Sequence, residues 1–125
     1  MNSRPVNEVS WQPSTTKVSS DEFGEVIAGH NVVIFHFYAS WNRYDVVMDQ
    51  ILCEIAGTDK DDIFIGSIDT DDQENCEKCK ELRILNLPAI AAFVNGRHFE
   101  TVIGLLSKNS LNTKVQEWSN TAKAS

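Results

Sequence analysis

The feature that most constrains the fold is a nearly unbroken apolar run, followed after a short polar turn by a helical pattern. In the run, residues 32–37, only His36 is polar. A half-buried strand alternates apolar and polar residues, so this run predicts a strand that is buried on both faces. Beyond the turn at residues 40–42, apolar residues recur at the helical spacing of three and four: Val47, Ile51, Leu52 and Ile55. The stretch therefore predicts a strand, a tight turn and a helix, with Ser40 or Asn42 as the N-cap.

The rest of the chain supplies further strands and helices around this central unit. Asn95-Gly96 is the dipeptide typical of a two-residue type I′ hairpin turn, so the strands on either side of it are predicted to be antiparallel. Strands are predicted at residues 15–18, 63–68, 87–94 and 98–103, and helices at about 21–28, 72–85 and 107–120. The order βαβαβαββα predicts an α/β fold with a central mixed sheet flanked by helices on both faces.

Length, charge and cysteine content limit the classes of protein to consider. The 125 residues fit one domain, which we assign to residues 15–125 behind a flexible, polar leader at 1–14. Within the leader, Trp11 either docks on the domain surface or anchors a partner. The net charge of −7 argues against a general binder of nucleic acid or anionic membranes. No apolar run approaches the roughly 20 residues that span a bilayer. Three cysteines without a visible signal peptide favour a reducing compartment, so we expect a cytoplasmic protein.

Two stretches of the sequence resemble the thioredoxin family. In that family a buried strand ends in Phe-Trp-Ala-x-Trp, followed by Cys-Gly-Pro-Cys and a helix. Here Phe-Tyr-Ala-Ser-Trp, residues 37–41, is followed by Asn-Arg-Tyr-Asp, residues 42–45. The second stretch has Leu87-Pro88, Phe93-x-Asn95-Gly96 and Gly104 at the family's spacing. Together the matches cover about residues 31–120. The resemblance implies a thioredoxin fold in which Pro88 is cis and faces the turn at residues 40–45.

The same resemblance implies that the family's thiol chemistry is missing at this turn. Asn42 and Asp45 stand at the two cysteine positions, and neither side chain can form a thiolate or a disulfide. We expect Asn42 to cap the helix and Asp45 to lie in its first turn, where a carboxylate suits the helix dipole and would repel a substrate thiolate. The family's buried Asp and Lys are replaced by His36 and Ser67, and His36 is predicted to be a hydrogen-bonded, largely neutral core residue. No catalytic residue is therefore predicted at the turn, and no cofactor.

A second candidate for redox chemistry is the pair Cys76 and Cys79 on the predicted third helix. A Cys-x-x-Cys spacing on this type of fold invites a redox interpretation, and it places the sulfurs on adjacent helical turns. The structural alternative is that Cys79 packs in the core. A zinc site would need two more ligands, and no second cysteine pair is present. The acidic run at residues 69–74 resembles a calcium loop but lacks its glycine, so no metal site is predicted.

The resemblance also implies a surface that holds an extended peptide beside the turn and the cis proline. The corresponding residues form a candidate partner-binding groove: Trp41, Arg43, Tyr44, Leu87, Pro88, Gly104 and Leu105. Trp, Tyr and Arg often carry the binding energy of interfaces. We therefore predict a redox-inactive, interaction or chaperone-like module with a protein or peptide partner. The alternatives are a thiol-disulfide oxidoreductase that uses Cys76 and Cys79, and a stabilising subunit of a larger assembly that docks through its leader. Partner identity and oligomeric state are left open.

Overall fold

The computed structural model of the chain describes residues 11–58 and 62–124, and its elements follow the predicted order. The strands are β1 (Thr16–Lys17), β2 (Val32–Tyr38), β3 (Ile63–Asp69), β4 (Ala89–Val94) and β5 (Arg97–Ile103). The helices are α1 (Phe23–Gly29), α2 (Arg43–Thr58), α3 (Cys76–Glu81) and α4 (Lys108–Ala124). Single 3₁₀ turns at Ser20–Glu22 and Gln73–Asn75 lead into α1 and α3. The predicted α/β architecture is confirmed.

The five strands form one mixed sheet with the order β1-β3-β2-β4-β5. The pairs β1–β3 and β2–β3 are parallel, whereas β2–β4 and β4–β5 are antiparallel. Parallel neighbours need a crossover and antiparallel neighbours can share a tight turn, which matches the helices early in the chain and the hairpin late in it. Strand β2 lies at the centre, and all of its residues are buried, as the apolar run predicts.

The hairpin between β4 and β5 has the predicted two-residue turn. Asn95 and Gly96 have φ angles of 51° and 83°, and Val94 pairs with Arg97 directly across the turn. Positive φ at both central positions is the requirement of a type I′ turn, and it is why this dipeptide is favoured there. A register shift between Ala92 and Phe93 then bends the hairpin.

Side chains of β2 alternate between two apolar layers, one on each face of the sheet. Val33, Phe35 and Phe37 pack toward Phe23 of α1, whose ring stacks on that of Phe35 at 4.4 Å between centroids. Val32 and Ile34 pack on the opposite face against α2 and α4, in a cluster that includes Met48, Leu52, Ile55, Leu111, Val115 and Trp118. Each large side chain buried in this way contributes about 1.5–3 kcal/mol. The alternation also places His36 and Tyr38 on the α2 face of the strand.

The buried face of α2 differs from the predicted one. Met48, Leu52 and Ile55 are buried, whereas Val47, which was expected on the apolar face, is 40% exposed. Positions 47 and 48 both fit a helical repeat with residues 51–55, so periodicity identifies the helix without choosing between them. The longer Met48 side chain fills the layer under the sheet, and Val47 faces outward.

The predicted helix at 72–85 is wrong at its C-terminal end, because α3 stops at Glu81. Arg83 adopts a left-handed φ of 59°. Its N–H bonds the carbonyl of Lys80 at 3.2 Å, and the N–H of Ile84 bonds the carbonyl of Cys79 at 2.9 Å. These two bonds form a Schellman motif, which usually carries glycine at the left-handed position. Because arginine stands there, the sequence gives no signal for the end of the helix. Leu85, the last residue of the predicted helix, is 83% exposed.

Residues 11–14, the end of the expected leader, lie against the domain, while residues 1–10 are outside the described part of the chain. The Trp11 ring meets the Tyr38 ring edge-on at 5.7 Å between centroids. The Tyr38 hydroxyl donates to Gln12 Oε1 at 3.4 Å, and the Ser14 N–H donates to Asp49 Oδ1 at 2.9 Å. Trp11 therefore docks on the domain, the first of the two alternatives from the sequence. None of the helices within residues 11–58 and 62–124 is long and apolar enough to cross a membrane.

Candidate functional site

Several segments meet at one edge of the sheet, where β2 and β3 end and β4 begins. Tyr38 pairs with Asp69, and Phe37 pairs with Ala89. The turn at residues 39–42, the loop at 70–72 and Pro88 therefore all leave the sheet at this edge. The Leu87–Pro88 peptide bond is cis, the form that the resemblance implied. Gly104 joins the same edge, because its N–H donates to the Pro88 carbonyl at 2.8 Å with a φ of 105° that favours glycine.

Asn42 is the N-cap of α2, as the sequence predicts. Its Oδ1 accepts the N–H of Tyr44 at 2.9 Å, and its own N–H donates to the Ala39 carbonyl at 3.1 Å. An Asn cap satisfies one of the N–H groups that a helix start leaves unpaired, and it typically stabilises the helix by about 1 kcal/mol. The side chain at the first family cysteine position thus has a structural contact that accounts for it.

Asp45 is fully buried and points into the core rather than toward the surface of the turn. One carboxylate oxygen, Oδ1, lies 2.9 Å from His36 Nε2, and the other, Oδ2, accepts the Ala39 N–H at 3.1 Å. Asp45 lies in the first turn of α2, as the sequence predicts, but its complete burial there was not predicted. The physical reason is the alternation of β2, which directs His36 toward the first turn of α2, where it offers the carboxylate a buried hydrogen-bond donor.

The buried pair also determines which ring nitrogen of His36 carries a proton. A carboxylate only accepts hydrogen bonds, so Nε2 must be the donor to Asp45. His36 Nδ1 is buried and has no hydrogen-bond partner among the described residues. A proton on Nδ1 would be a buried donor without an acceptor, so the tautomer with its proton on Nε2 suits this environment. His36 is the hydrogen-bonded core residue that the sequence predicts.

Tyr38 lies at the same edge of the sheet, buried and close to two carboxylates. Burial raises the pKa of Tyr38 to about 12, and the carboxylates of Asp69 and Asp71 add to the rise. Both effects penalise the phenolate, one through the loss of hydration and the other through repulsion between like charges. The hydroxyl therefore remains a donor over the physiological pH range, which suits its contact with Gln12.

The exposed part of the edge is aromatic. Trp41 is 53% exposed and Tyr44 is 58% exposed. The Trp41 indole N–H donates to Asp71 Oδ2 at 2.9 Å, which orients the ring above the loop at residues 70–72. Arg43 and Leu105 are also exposed, while Leu87 is half-buried and Pro88 is buried. We call the residues of the predicted groove the turn surface: Trp41, Arg43, Tyr44, Leu87, Pro88, Gly104 and Leu105.

The structure places the turn surface and the pair Cys76 and Cys79 on different elements. Cys76 and Cys79 lie on α3, beyond the acidic loop, with Cys76 exposed and Cys79 half-buried. Burial, and then the neighbouring Cys76, raise the pKa of the Cys79 thiol. The third thiol, Cys53 on α2, also has its pKa raised by burial and by Asp49, although a hydrogen bond with Ser14 opposes the rise. Within residues 11–58 and 62–124, no three His, Cys, Asp or Glu side chains are arranged to hold a metal ion.

Sequence reasoning missed the partners of the turn rather than the turn itself. Neither the bond from His36 to Asp45 nor the bond from Trp41 to Asp71 was predicted. A signal for the first pair was present: two polar residues occupy inward positions of a buried strand and of the helix that follows it. No comparable signal exists for Trp41 and Asp71, since loop residues separated by 30 positions meet only through the fold.

Comparisons with known proteins show what the whole chain is similar to. The family description Thioredoxin matches residues 14–117. The chain is 30% identical over 117 residues to the M-type chloroplastic thioredoxin of Chlamydomonas reinhardtii, covering 93% of this chain and 82% of the relative. It is 24% identical over 110 residues to a thioredoxin of Mycolicibacterium smegmatis, covering 87% and 98%.

Solved structures show the same likeness. Oxidised mitochondrial thioredoxin 3 from Saccharomyces cerevisiae superposes with a TM-score of 0.74 at 22% identity, covering 83% of this chain and 95% of that one. A thioredoxin from Malassezia sympodialis superposes with a TM-score of 0.73 at 25% identity, covering 86% and 93%. The fold of these proteins and of this chain is the same.

Proposed function

The chain belongs to the thioredoxin family, and from this premise we propose that it is a redox-inactive member that binds a protein or peptide partner through the turn surface. The role is that of an interaction or chaperone-like module. A polypeptide segment in extended form is the ligand that suits an edge made of a turn, a cis proline and a glycine. The proposal assigns no catalytic residue to the turn.

The observation that carries this proposal is the burial of the Asp45 carboxylate. Thiol-disulfide exchange at the turn needs an attacking thiolate and a second thiol three residues later. At those two positions Asn42 caps the helix and Asp45 bonds His36 and Ala39, so both side chains are engaged in holding the turn. Because the carboxylate bonds both the strand and the turn, it ties the two together.

A turn held in this way favours binding. An interface loses less conformational entropy on association when its residues are already ordered. The Asp45 bond to the Ala39 N–H orders the start of the turn, and the Asp71 bond orders the Trp41 ring. The two exposed aromatic side chains can then cover an apolar segment of a partner, while Arg43 supplies a charge for a carbonyl or carboxylate oxygen.

A direct test measures binding to an unfolded chain that has no free thiols. The probe is reduced, carboxymethylated α-lactalbumin, and binding is followed by isothermal titration calorimetry with the full chain. Replacing both Trp41 and Tyr44 by Ala is expected to cost about 2 kcal/mol or more, which is about a thirtyfold rise in Kd. Phe99→Ala is the matched control, since Phe99 is an aromatic residue of β5 outside the turn surface and is 44% exposed.

The control variant distinguishes binding by the turn surface from nonspecific hydrophobic binding. Equal weakening by the control variant would mean that exposed aromatic area, and not the turn surface, accounts for binding. Absence of binding by the wild-type chain at high micromolar concentration would refute the chaperone-like role.

The alternative function is a thiol-disulfide oxidoreductase that uses Cys76 and Cys79. The observation in its favour is that both are free and line one groove on α3. Against it, thiol-disulfide exchange is fastest when the pKa of the attacking thiol lies near ambient pH, and burial raises the pKa of the Cys79 thiol. An insulin-reduction assay with a dithiol donor distinguishes the two functions. Turnover by the wild type that Cys76→Ser abolishes would establish the alternative and overturn redox inactivity.

A further inference from the structure

We propose that Cys76 and Cys79 form a modification site for a small anionic disulfide such as glutathione disulfide, and that their oxidation changes the position and environment of the Trp41 ring. The pair then acts as a redox sensor for the turn surface rather than as a catalyst. The consequence for partner binding rests on the function proposed above. The oxidation and its effect on Trp41 do not.

Although Glu77 follows Cys76, the groove that the two thiols line carries two cationic side chains that suit an anionic reagent. Cys76 and Cys79 line the same open groove of about 450 Å³, together with Lys80 and Arg83. Cys76 is exposed, so a disulfide in solution can reach its sulfur directly. The two cationic side chains attract the carboxylates of glutathione, which raises the local concentration of the reagent. Cys79 lies one helical turn further and is partly covered by the apolar layer of α1 and β2.

The reaction consumes one molecule of glutathione disulfide and yields two of glutathione. The Cys76 thiolate attacks one sulfur of the reagent, which forms a mixed disulfide and releases the first glutathione thiolate. Cys79 then loses its proton to solvent, and its thiolate attacks Cys76 Sγ. The second glutathione leaves, and a Cys76–Cys79 disulfide remains.

Closing this disulfide must deform the first turn of α3. Residues three apart on a helix have Cβ atoms about 5–6 Å apart, whereas a disulfide needs about 3.8 Å. Helix α3 has only six residues, and its far end is held by the Schellman bonds of Arg83 and Ile84. The deformation therefore falls on the near end, where Asn75 precedes Cys76.

Three hydrogen bonds connect that end of α3 to the turn surface. The buried Asn75 side chain donates through Nδ2 to the Asp69 carbonyl at 2.9 Å. The Asp71 N–H donates to Asp69 Oδ1 at 2.9 Å, and Asp71 Oδ2 accepts the Trp41 indole N–H at 2.9 Å. A shift of Asn75 is thus passed through the end of β3 to the residue that orients Trp41.

The test follows the indole N–H resonance of Trp41 in the full chain with Cys53→Ser as background, so that only the pair can react. Trp41→Phe assigns the resonance. Glutathione disulfide is expected to remove two hydrogens by mass and to move the Trp41 resonance by more than its linewidth, and dithiothreitol is expected to reverse both. Cys79→Ser is expected to stop at one glutathione adduct on Cys76, with the Trp41 resonance close to its reduced position.

Two variants test the connection. Asn75→Ala is expected to form the disulfide while the Trp41 resonance stays in place. Asn75 is buried, and its loss could unfold the chain, so a second variant is made at an exposed residue of the same hydrogen-bond chain. In Asp71→Ala the disulfide is likewise expected to form without moving the Trp41 resonance. Failure of the wild type to form the disulfide would overturn the proposal, as would a disulfide that leaves the Trp41 resonance unmoved.

A final measurement separates this proposal from the proposed function. Oxidised and reduced protein are compared for binding to carboxymethylated α-lactalbumin, and a change of at least threefold in Kd is expected. If the reduced protein does not bind, the proposed function fails and the resonance experiment alone decides the sensor. If both forms bind equally, the regulation of the turn surface is refuted.

Discussion

Removing the Asp45 carboxylate is the perturbation that most directly tests how the turn is held. In Asp45→Ala, two buried donors lose their acceptor, namely the His36 Nε2–H and the Ala39 N–H. An unsatisfied buried donor costs about 1–3 kcal/mol, and breaking a buried pair by removing one partner costs about 3–5 kcal/mol. The two orphaned donors together give a loss of about 2–6 kcal/mol, which contains the estimate for the pair and is a large share of the roughly 5–15 kcal/mol that stabilises a domain.

Asp45→Asn gives a smaller expected loss of about 1–3 kcal/mol, because one donor keeps its partner. The amide oxygen can still accept the Ala39 N–H, but the amide NH₂ then faces His36 Nε2. The ring must shift its proton to Nδ1, which is buried without a partner among the described residues. The Nδ1–H and the second amide N–H are then without acceptors, while the Ala39 N–H keeps its acceptor and the side chain keeps its packing.

Urea unfolding followed by far-UV circular dichroism measures these losses as the free energy of unfolding. Glu25→Ala is the matched control, an exposed acid in the first turn of α1, and is expected to change stability by less than about 0.5 kcal/mol. His36→Phe combined with Asp45→Ala is expected to be less destabilised than the sum of the single variants, because it removes the orphaned ring donor. A loss below about 1 kcal/mol in Asp45→Ala would show that the buried pair does not hold the turn.

Three further predictions test the packing, the pH response and the end of α3. Gly66→Ala is expected to destabilise the protein by about 1–3 kcal/mol, because the new Cβ would lie 2.8 Å from the Phe64 side chain. Gly24→Ala in α1 has free space around the new Cβ and is expected to stabilise the protein by about 0.5–1 kcal/mol. The urea midpoints of the two variants are compared with that of the wild type. The pKa of Tyr38 is raised to about 12, so the folded state holds the phenolic proton more tightly than the unfolded state does. The stability that this difference contributes is complete below pH 10 and is lost as pH rises through the folded pKa. Tyr38→Phe is expected to lose less stability than wild type between pH 9 and 11 in the same assay, and identical slopes would contradict the shift. Arg83→Gly removes a left-handed arginine and is expected to raise the melting temperature, with a gain of up to about 1 kcal/mol; a lower value would mean that the arginine side chain stabilises the Schellman end.

Sequence patterns were most informative where the physics is local. The Asn95-Gly96 dipeptide predicted the hairpin because positive φ at adjacent residues is a property of those two residues. Asn42 was predicted as a cap because the side chain bonds an N–H only two residues away. The end of α3 was missed although it is local, because Arg83 occupies a conformation that sequence rules reserve for glycine.

The sequence by itself determined the order of elements and the location of the turn. Periodicity and turn chemistry depend on neighbours within a few residues, and these are printed in the chain. Only the tertiary structure decided which side chains the turn residues contact. His36 and Asp45 form a buried pair, and Trp41 meets Asp71, because strand alternation and sheet register bring together side chains that the chain order keeps apart. Such pairings depend on which faces meet in three dimensions, and that information is absent from any short window of sequence.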